Sequence, residues 1–496
     1  NTTGTSNTAL GYRSLTTNTT GANNTSVGTN SLDVNTTGAN NTAVGNDALG
    51  ANTTAANNTA IGNGVLIVNT TGANNTALGQ GALAANTTAS DNTAVGKDAG
   101  KTITTGFNNA LVGRNAGDAL TIGNSNTAVG MNALSAEVAG DRSVAVGYGS
   151  LTAQTNASTV DTYNVAVGYN AGKAVTTGAQ NTFIGGLAGA ATTTADANTA
   201  VGYNALNDNT TGTRNVAVGG AALDNSTTAS YNTAVGYEAL TVTTTGANNT
   251  GLGYRALYLN TTGADNTAVG KGALTANTTG ASNTVVGGSA GAAITTGIRN
   301  VCIGQKACND TVLLTTGGGN VVIGYEARTA AAGTSNTIVM GNNVTGQADD
   351  NFTFGTGATD SNIAFGATSI TAPSDVRLKE DIQDEKVGLG FINDLRPVTF
   401  QWKKEKDIPE EMKAHVAGSE KRTMNGKHNH GFIAQEVKAV IDNHNMKDGF
   451  DMWTEDGADG RQRIGDASLM PIMVKALQEL SEKNDALEAR LAALEA

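Results

Sequence analysis

The segment that decides the fold is NTAVGNDALGANTTAAN, residues 41–57, because it recurs with small changes through most of the chain. The aliphatic residue before its first glycine returns every 17 residues from Leu10 to Val146. After one step of 21 residues the 17-residue spacing resumes as far as Ile303, and after one step of 20 it ends at Met340. A fixed period of this length indicates a repeat architecture rather than low-complexity sequence.

Each period predicts one short strand, of the type Thr42-Ala43-Val44, because two larger side chains alternate with a small one. Leu49 is expected to fill the interior of the coil. Other copies have a second glycine at that position, which suggests a thinner layer there. The remaining residues of each period are of types that favour turns. Replacement of Asn52 or Thr53 by alanine is therefore expected to cost little stability.

A 17-residue unit cannot bury a face alone, so the coils are expected to stack as a parallel β-solenoid. About twenty coils would extend on the order of 95 Å. The first proline is Pro373, which agrees with a fold that needs every coil N–H as a donor. One Val44-type and one Leu49-type side chain make a thin core for each coil. The small residue on the other strand face suggests burial there too, so we expect chains to associate side by side.

The pattern Asn-Thr-Ala-Val-Gly-x-x-Ala-Leu is similar to the head repeats of trimeric autotransporter adhesins and of phage tail fibres. The resemblance covers residues 1–341 and implies an all-β fold class, a trimeric parallel β-solenoid or β-roll fibre. Residues 342–373 are expected to form an irregular, strand-rich junction. A receptor-binding module around Phe352, Phe354 and Phe365 is an alternative interpretation of that junction.

The composition of the chain changes near residue 373. All four prolines, all four histidines and both tryptophans lie beyond residue 372, and the last 123 residues carry 42 of the 72 charged side chains. The net charge of −12, without a basic cluster, argues against nucleic acid and anionic membranes as partners. No apolar run is long enough to span a membrane, and no signal-like segment begins the sequence. We therefore expect no membrane insertion.

Several residues that invite a functional interpretation have a simpler one. Cys302 and Cys308 occupy the small-strand and Leu49-type positions, so they are expected to act as small buried apolar side chains rather than as a disulfide or metal site. His428 and His430 are expected at the surface or in turns. The Asn-x-Thr sequons and the Thr pairs are by-products of the repeat, which argues against glycosylation and ice binding. No cofactor and no metal are expected.

Three segments near the C-terminus carry a second resemblance: SDVRLKEDI at 374–382, LRPVTFQW at 395–402 and HGFIAQEV at 430–437. In this order, ahead of a C-terminal helix, they resemble the intramolecular chaperone of phage tailspikes, endosialidases and related fibres. The resemblance implies a small α+β chaperone and autoprotease domain at 374–467, which trimerises the fibre. A coiled-coil helix at 468–496 is expected to follow it.

The resemblance also implies self-cleavage by a Ser–Lys dyad, with Ser374 as the nucleophile and Lys379 as the general base. The bond cut would be Pro373–Ser374. A hydroxyl is a weak nucleophile, and a desolvated lysine amine can take its proton. Lys379 lies five positions after Ser374, a spacing that a regular helix does not bring together, so a bend or an extended entry is expected between them. The simpler interpretation is a charged helix start with Ser374 as the N-cap.

The last helix carries a heptad repeat, which predicts a coiled coil. An asparagine at an a position fixes register at a cost in stability and often accompanies dimers. The expectation of three chains therefore comes from the family resemblance and not from the heptad. The a positions are Met470, Leu477, Asn484 and Leu491, and the d positions are Met473, Leu480, Leu487 and Leu494.

These features together predict a structural, adhesive homotrimeric fibre outside the cell, either a virion tail fibre or a cell-surface appendage. Its expected partners are itself and a host-cell glycan or receptor. The alternative is a bacterial surface adhesin or receptor-binding fibre that retains its chaperone domain uncut. An enzyme acting on an external substrate, such as a glycan hydrolase, is disfavoured, because the repeats show no recurring pair of acids. Any enzymatic activity is expected to be single-turnover self-cleavage.

Overall fold

The structure is a computed structural model that describes residues 1–496 except 358, 368–369, 372–373, 375, 377–378, 413, 425, 447–451, 456–460 and 496. The chain divides into two compact units, Asn1–Pro373 and Ser374–Ala496.

The first unit is a β-solenoid with one strand in each coil, as predicted. Among the described residues of this unit, twenty-one strands pair in parallel and in register, usually 17 residues apart, and β22 then returns antiparallel to β21. This last hairpin covers one edge of the sheet, which is otherwise open to further pairing. The strands are β1 (Thr8–Leu10), β2 (Thr25–Val27), β3 (Thr42–Val44), β4 (Thr59–Ile61), β5 (Thr76–Leu78), β6 (Thr93–Val95), β7 (Ala110–Val112), β8 (Thr127–Val129), β9 (Val144–Val146), β10 (Val165–Val167), β11 (Thr182–Ile184), β12 (Thr199–Val201), β13 (Val216–Val218), β14 (Thr233–Val235), β15 (Thr250–Leu252), β16 (Thr267–Val269), β17 (Thr284–Val286), β18 (Val301–Ile303), β19 (Val321–Ile323), β20 (Ile338–Asn342), β21 (Asn351–Thr356) and β22 (Thr359–Ala364).

The side chain that points into each coil is the small middle residue of the strand. Ala43 is fully buried, together with Ala48 and Leu49, whereas the aliphatic residue before glycine lies on the outer face. Ile61 and Leu78, for example, are 37% and 43% exposed. The prediction that Val44-type residues form the coil core is therefore wrong. The interior already holds a leucine from the opposite side, and close packing leaves room for little more than a methyl group facing it.

The coils that lack the core leucine are filled from the strand side instead. Phe183 is fully buried between two such coils, and a Cβ built on Gly189 would lie 2.4 Å from its ring carbon Cε1. Leu111 occupies the same place between Gly100 and Gly117. The expected thinner layer is therefore wrong, because the volume lost at one position is regained at another.

The glycine that follows each strand is required by the close approach of the next coil. Gly45 has φ 139°, and a Cβ built there would lie 2.2 Å from the carbonyl oxygen of Gly62. Any side chain would therefore separate the two coils. Leu49, in contrast, keeps its side chain at φ 51°. Its burial offsets the cost of that left-handed conformation.

A second core, made of asparagine amides, runs beside the apolar one. The Asn41 side chain accepts a hydrogen bond from the backbone N–H of Asn58 at 3.0 Å and donates to the Ala55 carbonyl at 2.9 Å. Asn52 is also fully buried, and it donates to Asn35 Oδ1 at 2.9 Å and to Ala55 at 3.0 Å. The expectation that Asn52 tolerates alanine assumed a replaceable turn residue. That assumption is wrong, because loss of this buried amide would leave buried partners unpaired.

Cys302 and Cys308 form a disulfide across the interior of one coil, with their Cα atoms 5.9 Å apart. Both residues are fully buried, as predicted, but the expectation of two separate apolar side chains is wrong. The strand-centre and leucine positions face each other across the narrow coil. Cysteines at both positions therefore come within bonding distance.

The 21-residue step is stabilised by a buried carboxylate. Glu137 Oε1 accepts hydrogen bonds from the backbone N–H groups of Val138, Ala139 and Gly140, at 2.9, 3.1 and 2.8 Å. The backbone N–H of Asn156, in the longer coil, donates to the same oxygen at 3.0 Å. Several charge-assisted hydrogen bonds thus compensate the burial of this charge.

The second unit is a small α+β domain that ends in a long helix, as predicted. Its helices are α1 (Leu389–Asp394), α2 (Ala434–Asn443) and α3 (Leu469–Glu495), which begins one residue later than expected. Antiparallel pairs join β23 (Val398–Phe400) to β24 (Asn429–Gly431) and β25 (Trp453–Glu455) to β26 (Gln462–Ile464), and the 3₁₀ turns are Glu405–Asp407 and Asp466–Ser468. The core of the unit is formed by Phe391, Leu395, Val437, Ile441, Met452, Leu469 and Ile472.

We predict that Asn52→Ala lowers the free energy of unfolding of the solenoid by about 1–3 kcal/mol, because a buried amide ladder loses a member. Thr54→Ala is the matched control, since Thr54 is exposed in the same coil. Urea denaturation of the two variants measures the difference. Equal stability of both would show that the amide ladder contributes nothing.

We predict that Phe183→Ala costs about 3–5 kcal/mol, because the ring fills the space of two missing leucines. Adding Gly172→Leu and Gly189→Leu should restore most of this loss, since leucine occupies the equivalent left-handed position in Leu206. Thermal melts of the single and triple variants compare them. A triple variant no more stable than Phe183→Ala would contradict the packing argument.

Candidate self-cleavage site

Ser374 and Lys379 lie together at the start of the second unit. The Lys379 Nζ is 2.8 Å from the Ser374 Oγ, so the amine and the hydroxyl are hydrogen-bonded. The backbone N–H of Lys379 also donates to the Val376 carbonyl, at 3.2 Å. The simpler interpretation, a charged helix start with Ser374 as its N-cap, falls on residues 375–378, of which 375, 377 and 378 lie outside the described residues.

Both members of this pair are exposed in the single chain. Pro373, on the other side of the bond expected to be cut, lies outside the described residues. The described part of the candidate site therefore comprises the Ser374 hydroxyl group and the Lys379 amine within hydrogen-bonding distance of it. That is the arrangement a Ser–Lys dyad needs, because the amine must reach the proton of the hydroxyl.

The segment that carries the dyad is attached to the rest of the unit at its far end. Val387 packs against the apolar core, and the backbone N–H of Leu389, at the start of α1, donates to Glu479 Oε2 of α3 at 2.8 Å. The terminal helix is therefore linked directly to the element that follows the dyad. Glu479 is not recognisable from the sequence, because its partner lies 90 residues away and no local motif marks it.

Ion pairs support the domain around the site. Arg396 Nε lies 3.0 Å from Glu436 Oε2 on α2 and lowers the pKa of that carboxyl group. Lys404 and Lys406 both hydrogen-bond Glu420 and lower its pKa to about 2. A carboxyl group whose pKa is lowered on folding stabilises the folded chain at pH values above its ordinary pKa. This stabilisation is lost as the pH falls toward the lowered pKa. These pairs are therefore intact at neutral pH.

Helix α3 has two apolar faces. Leu469, Ile472 and Ala476 are buried within the unit, a face that the heptad interpretation overlooked. The predicted heptad residues point elsewhere: Asn484 is exposed and donates to Glu488 Oε1 at 3.0 Å. The exposed apolar members of the heptad are Met470, Met473, Leu477, Leu480, Leu487, Leu491 and Leu494. A surface of this kind on a charged helix is typical of association with further helices.

The solenoid also presents a continuous apolar surface, here called the outer ridge: the third residue of each strand from Leu10 to Met340. Every coil contributes one aliphatic residue or methionine, and all are partly or fully accessible in the single chain. Contiguous apolar surface on this scale marks an interaction site rather than ordinary protein surface. The side-by-side contact was expected at the small strand residue, but the exposed face is the opposite one.

Residues 374–446 match the protein family described as the chaperone of endosialidase. The match begins at Ser374 itself and confirms the resemblance drawn for the C-terminal region. Comparisons with curated proteins and with solved structures gave no significant match for the chain.

Other kinds of site find no support among the described residues. No group of three or more His, Cys, Asp or Glu side chains there is placed to hold a metal ion. His428 and His430 are both exposed, and His430 lies on β24. Of the helices described, none combines the length and apolar character needed to cross a membrane.

Proposed function

We propose that this chain forms a homotrimeric extracellular fibre whose C-terminal domain aligns and folds three chains and then cuts itself off between Pro373 and Ser374. The fibre is tail-fibre-like and adhesive, with a host-cell glycan or receptor as its external partner. The domain is a chaperone and a single-turnover protease, and external substrates are not hydrolysed.

The observation that carries the proposal is the Ser374–Lys379 hydrogen bond, at the first residue of the segment that matches a chaperone family. The border between the two compact units falls at the same bond. In the proposed reaction Lys379 takes the hydroxyl proton of Ser374, and the Ser374 oxygen attacks the Pro373 carbonyl carbon. Expulsion of the Ser374 amino group, which takes up a proton, leaves an ester, and water hydrolyses this ester to release the fibre.

Exposure of the dyad supports a reaction that waits for assembly. Both side chains are exposed to water in the single chain. Packing of three chains around residues 374–379 would remove that water, and desolvation favours the neutral form of an amine, which is the form that accepts a proton. Cleavage would then follow trimer formation rather than precede it.

Two apolar surfaces support association of three copies. The exposed heptad face of α3 joins the C-terminal helices, and the outer ridge joins the solenoids along their length. Long-range strand stacking folds slowly and exposes edges on the way, so alignment by a C-terminal helix bundle sets the register before the coils stack. Removal of the aligning domain afterwards makes the folded fibre kinetically stable, because unfolded chains can no longer be realigned.

We predict that Ser374→Ala and Lys379→Met each leave a full-length trimer, while the parent separates into a fibre and a 123-residue fragment that begins at Ser374. Removing the nucleophile or the base stops the reaction without disturbing the heptad or the cores. Lys386→Met, which removes another exposed lysine of the same segment, is the matched control and should cleave normally.

Intact mass spectrometry of the purified trimers measures this result. A parent chain that stays at 49.8 kDa after trimer formation would exclude self-cleavage and leave the retained-chaperone alternative.

We predict that Leu487→Glu reduces trimer yield at least tenfold, since it places three like charges at one coiled-coil layer. Ala489→Glu adds the same charge on the other side of the heptad and should assemble like the parent. Light scattering after refolding distinguishes the two variants. Normal trimers from Leu487→Glu would mean that the heptad face is not the contact between chains.

A further inference from the structure

Eight of the ten tyrosines of the chain lie between residues 148 and 258, and most of them form one row. The row, here called the tyrosine ladder, comprises residues directly after the strand glycine: Tyr148, Tyr169, Tyr203, Tyr237 and Tyr254. Their side chains are between 42% and 65% exposed. Aromatic side chains concentrated at the surface, rather than scattered, indicate a binding surface.

The rings of the ladder are ordered along the fibre axis. Tyr148 stacks on Tyr169 with ring centroids 5.5 Å apart, and Tyr237 stacks on Tyr254 at 5.9 Å. Tyr203 stands alone between these two pairs, separated from each by a coil with glycine at the ladder position. The ladder thus alternates between closed stacks and gaps.

The two glycines form the floors of the gaps. A Cβ built on Gly186 would lie 3.5 Å from Tyr203 Cδ2, and one on Gly220 would lie 3.3 Å from Tyr237 Cδ2. The rings therefore extend over bare backbone, and any side chain at either glycine would enter the gap. The tyrosines that bound each gap are two coils apart, on the order of 10 Å along the axis. That separation leaves room for one saturated six-membered ring in van der Waals contact with both.

We propose that the tyrosine ladder binds a linear polysaccharide, with sugar rings seated in the gaps over Gly186 and Gly220. This inference rests on the adhesive part of the proposed function and names its ligand class and its site. The C–H faces of a pyranose pack against tyrosine rings, and its hydroxyl groups need polar partners at the rim. At one end of the ladder the Arg255 Nε donates to Glu238 Oε2 at 2.5 Å, and the guanidinium lies 5.2 Å from the Tyr254 ring centroid.

The periodicity and the charge of the surface favour this ligand over other polymers. A row that repeats at the coil spacing matches a chain that repeats at a similar interval, as an extended polysaccharide does. Nucleic acid bases also stack on tyrosine, but phosphate binding needs concentrated positive charge. Residues 148–258 hold three basic and five acidic side chains.

The test compares four variants, each expressed as the full-length chain and purified in the same way as the parent. Tyr203→Gln removes the shared wall of both gaps, and Gly186→Gln fills one of them. Tyr325→Gln and Gly288→Gln are the matched controls, because both residues occupy the same position in coils outside the ladder. Glutamine fits this position in the native chain, as Gln80 and Gln305 show, and a Cβ on Gly288 meets nothing within 4 Å.

The probes are linear hexasaccharides of glucose, N-acetylglucosamine, mannose and galactose, immobilised on an array. We expect binding of at least one probe, and a loss of about tenfold or more in both ladder variants, with the two controls unchanged. Absence of binding to every probe, or binding that survives Tyr203→Gln, overturns the inference.

Light scattering and the cleavage assay on the same samples separate this result from a failure of the proposed function. Ladder variants that cleave and bind normally leave the fibre proposal intact but remove the sugar site. Ladder variants that fail to trimerise would show that the tyrosines join chains instead.

Discussion

The hydrogen bond from each coil to the coil 17 residues further on is the interaction on which the solenoid depends. Backbone groups of the strands form one part of it, and the amides of residues such as Asn41 and Asn52 form the other. Because every coil must approach its neighbours at the strand-pairing distance, Gly45 and its equivalents cannot carry a side chain, and proline cannot replace a donor. The narrow interior that results admits one leucine opposite one methyl group, or one phenylalanine opposite two glycines.

The same regularity creates the problem that the C-terminal unit is suited to solve. Coils that are nearly identical pair almost equally well in shifted registers, so the repeat alone specifies its alignment with other chains weakly. The 21-residue step with its buried Glu137, and the coil that contains the Cys302 disulfide, distinguish individual coils within one chain. In the proposed function, the C-terminal unit with its exposed heptad helix would align the chains without depending on the repeats. Glu479 of α3 accepts a hydrogen bond from the first residue of α1. This bond connects α3 to the segment in which Ser374 and Lys379 meet.

The two surfaces of the solenoid differ in chemistry and therefore in the partner that each suits. The outer ridge is aliphatic, uniform and present in every coil, which suits another solenoid with the same period. The tyrosine ladder is aromatic, interrupted by glycine and limited to the middle of the unit, which suits a ligand that binds locally. The outer ridge exists because each strand turns only its small middle residue inward.

The sequence by itself determined the period, the parallel solenoid, the change of fold near residue 373 and the heptad helix, because each is a local pattern repeated or bounded along the chain. It also placed Ser374 and Lys379 in one candidate site through a family resemblance, although spacing alone argued against a regular helix. Only the tertiary structure decided that Ala43 points inward and Val44 outward, since a period of two marks alternating faces without saying which one is enclosed. It likewise decided that Asn52 is buried and that Cys302 meets Cys308. These outcomes depend on the width of the closed coil, a distance between residues that neighbour each other only once the chain has folded.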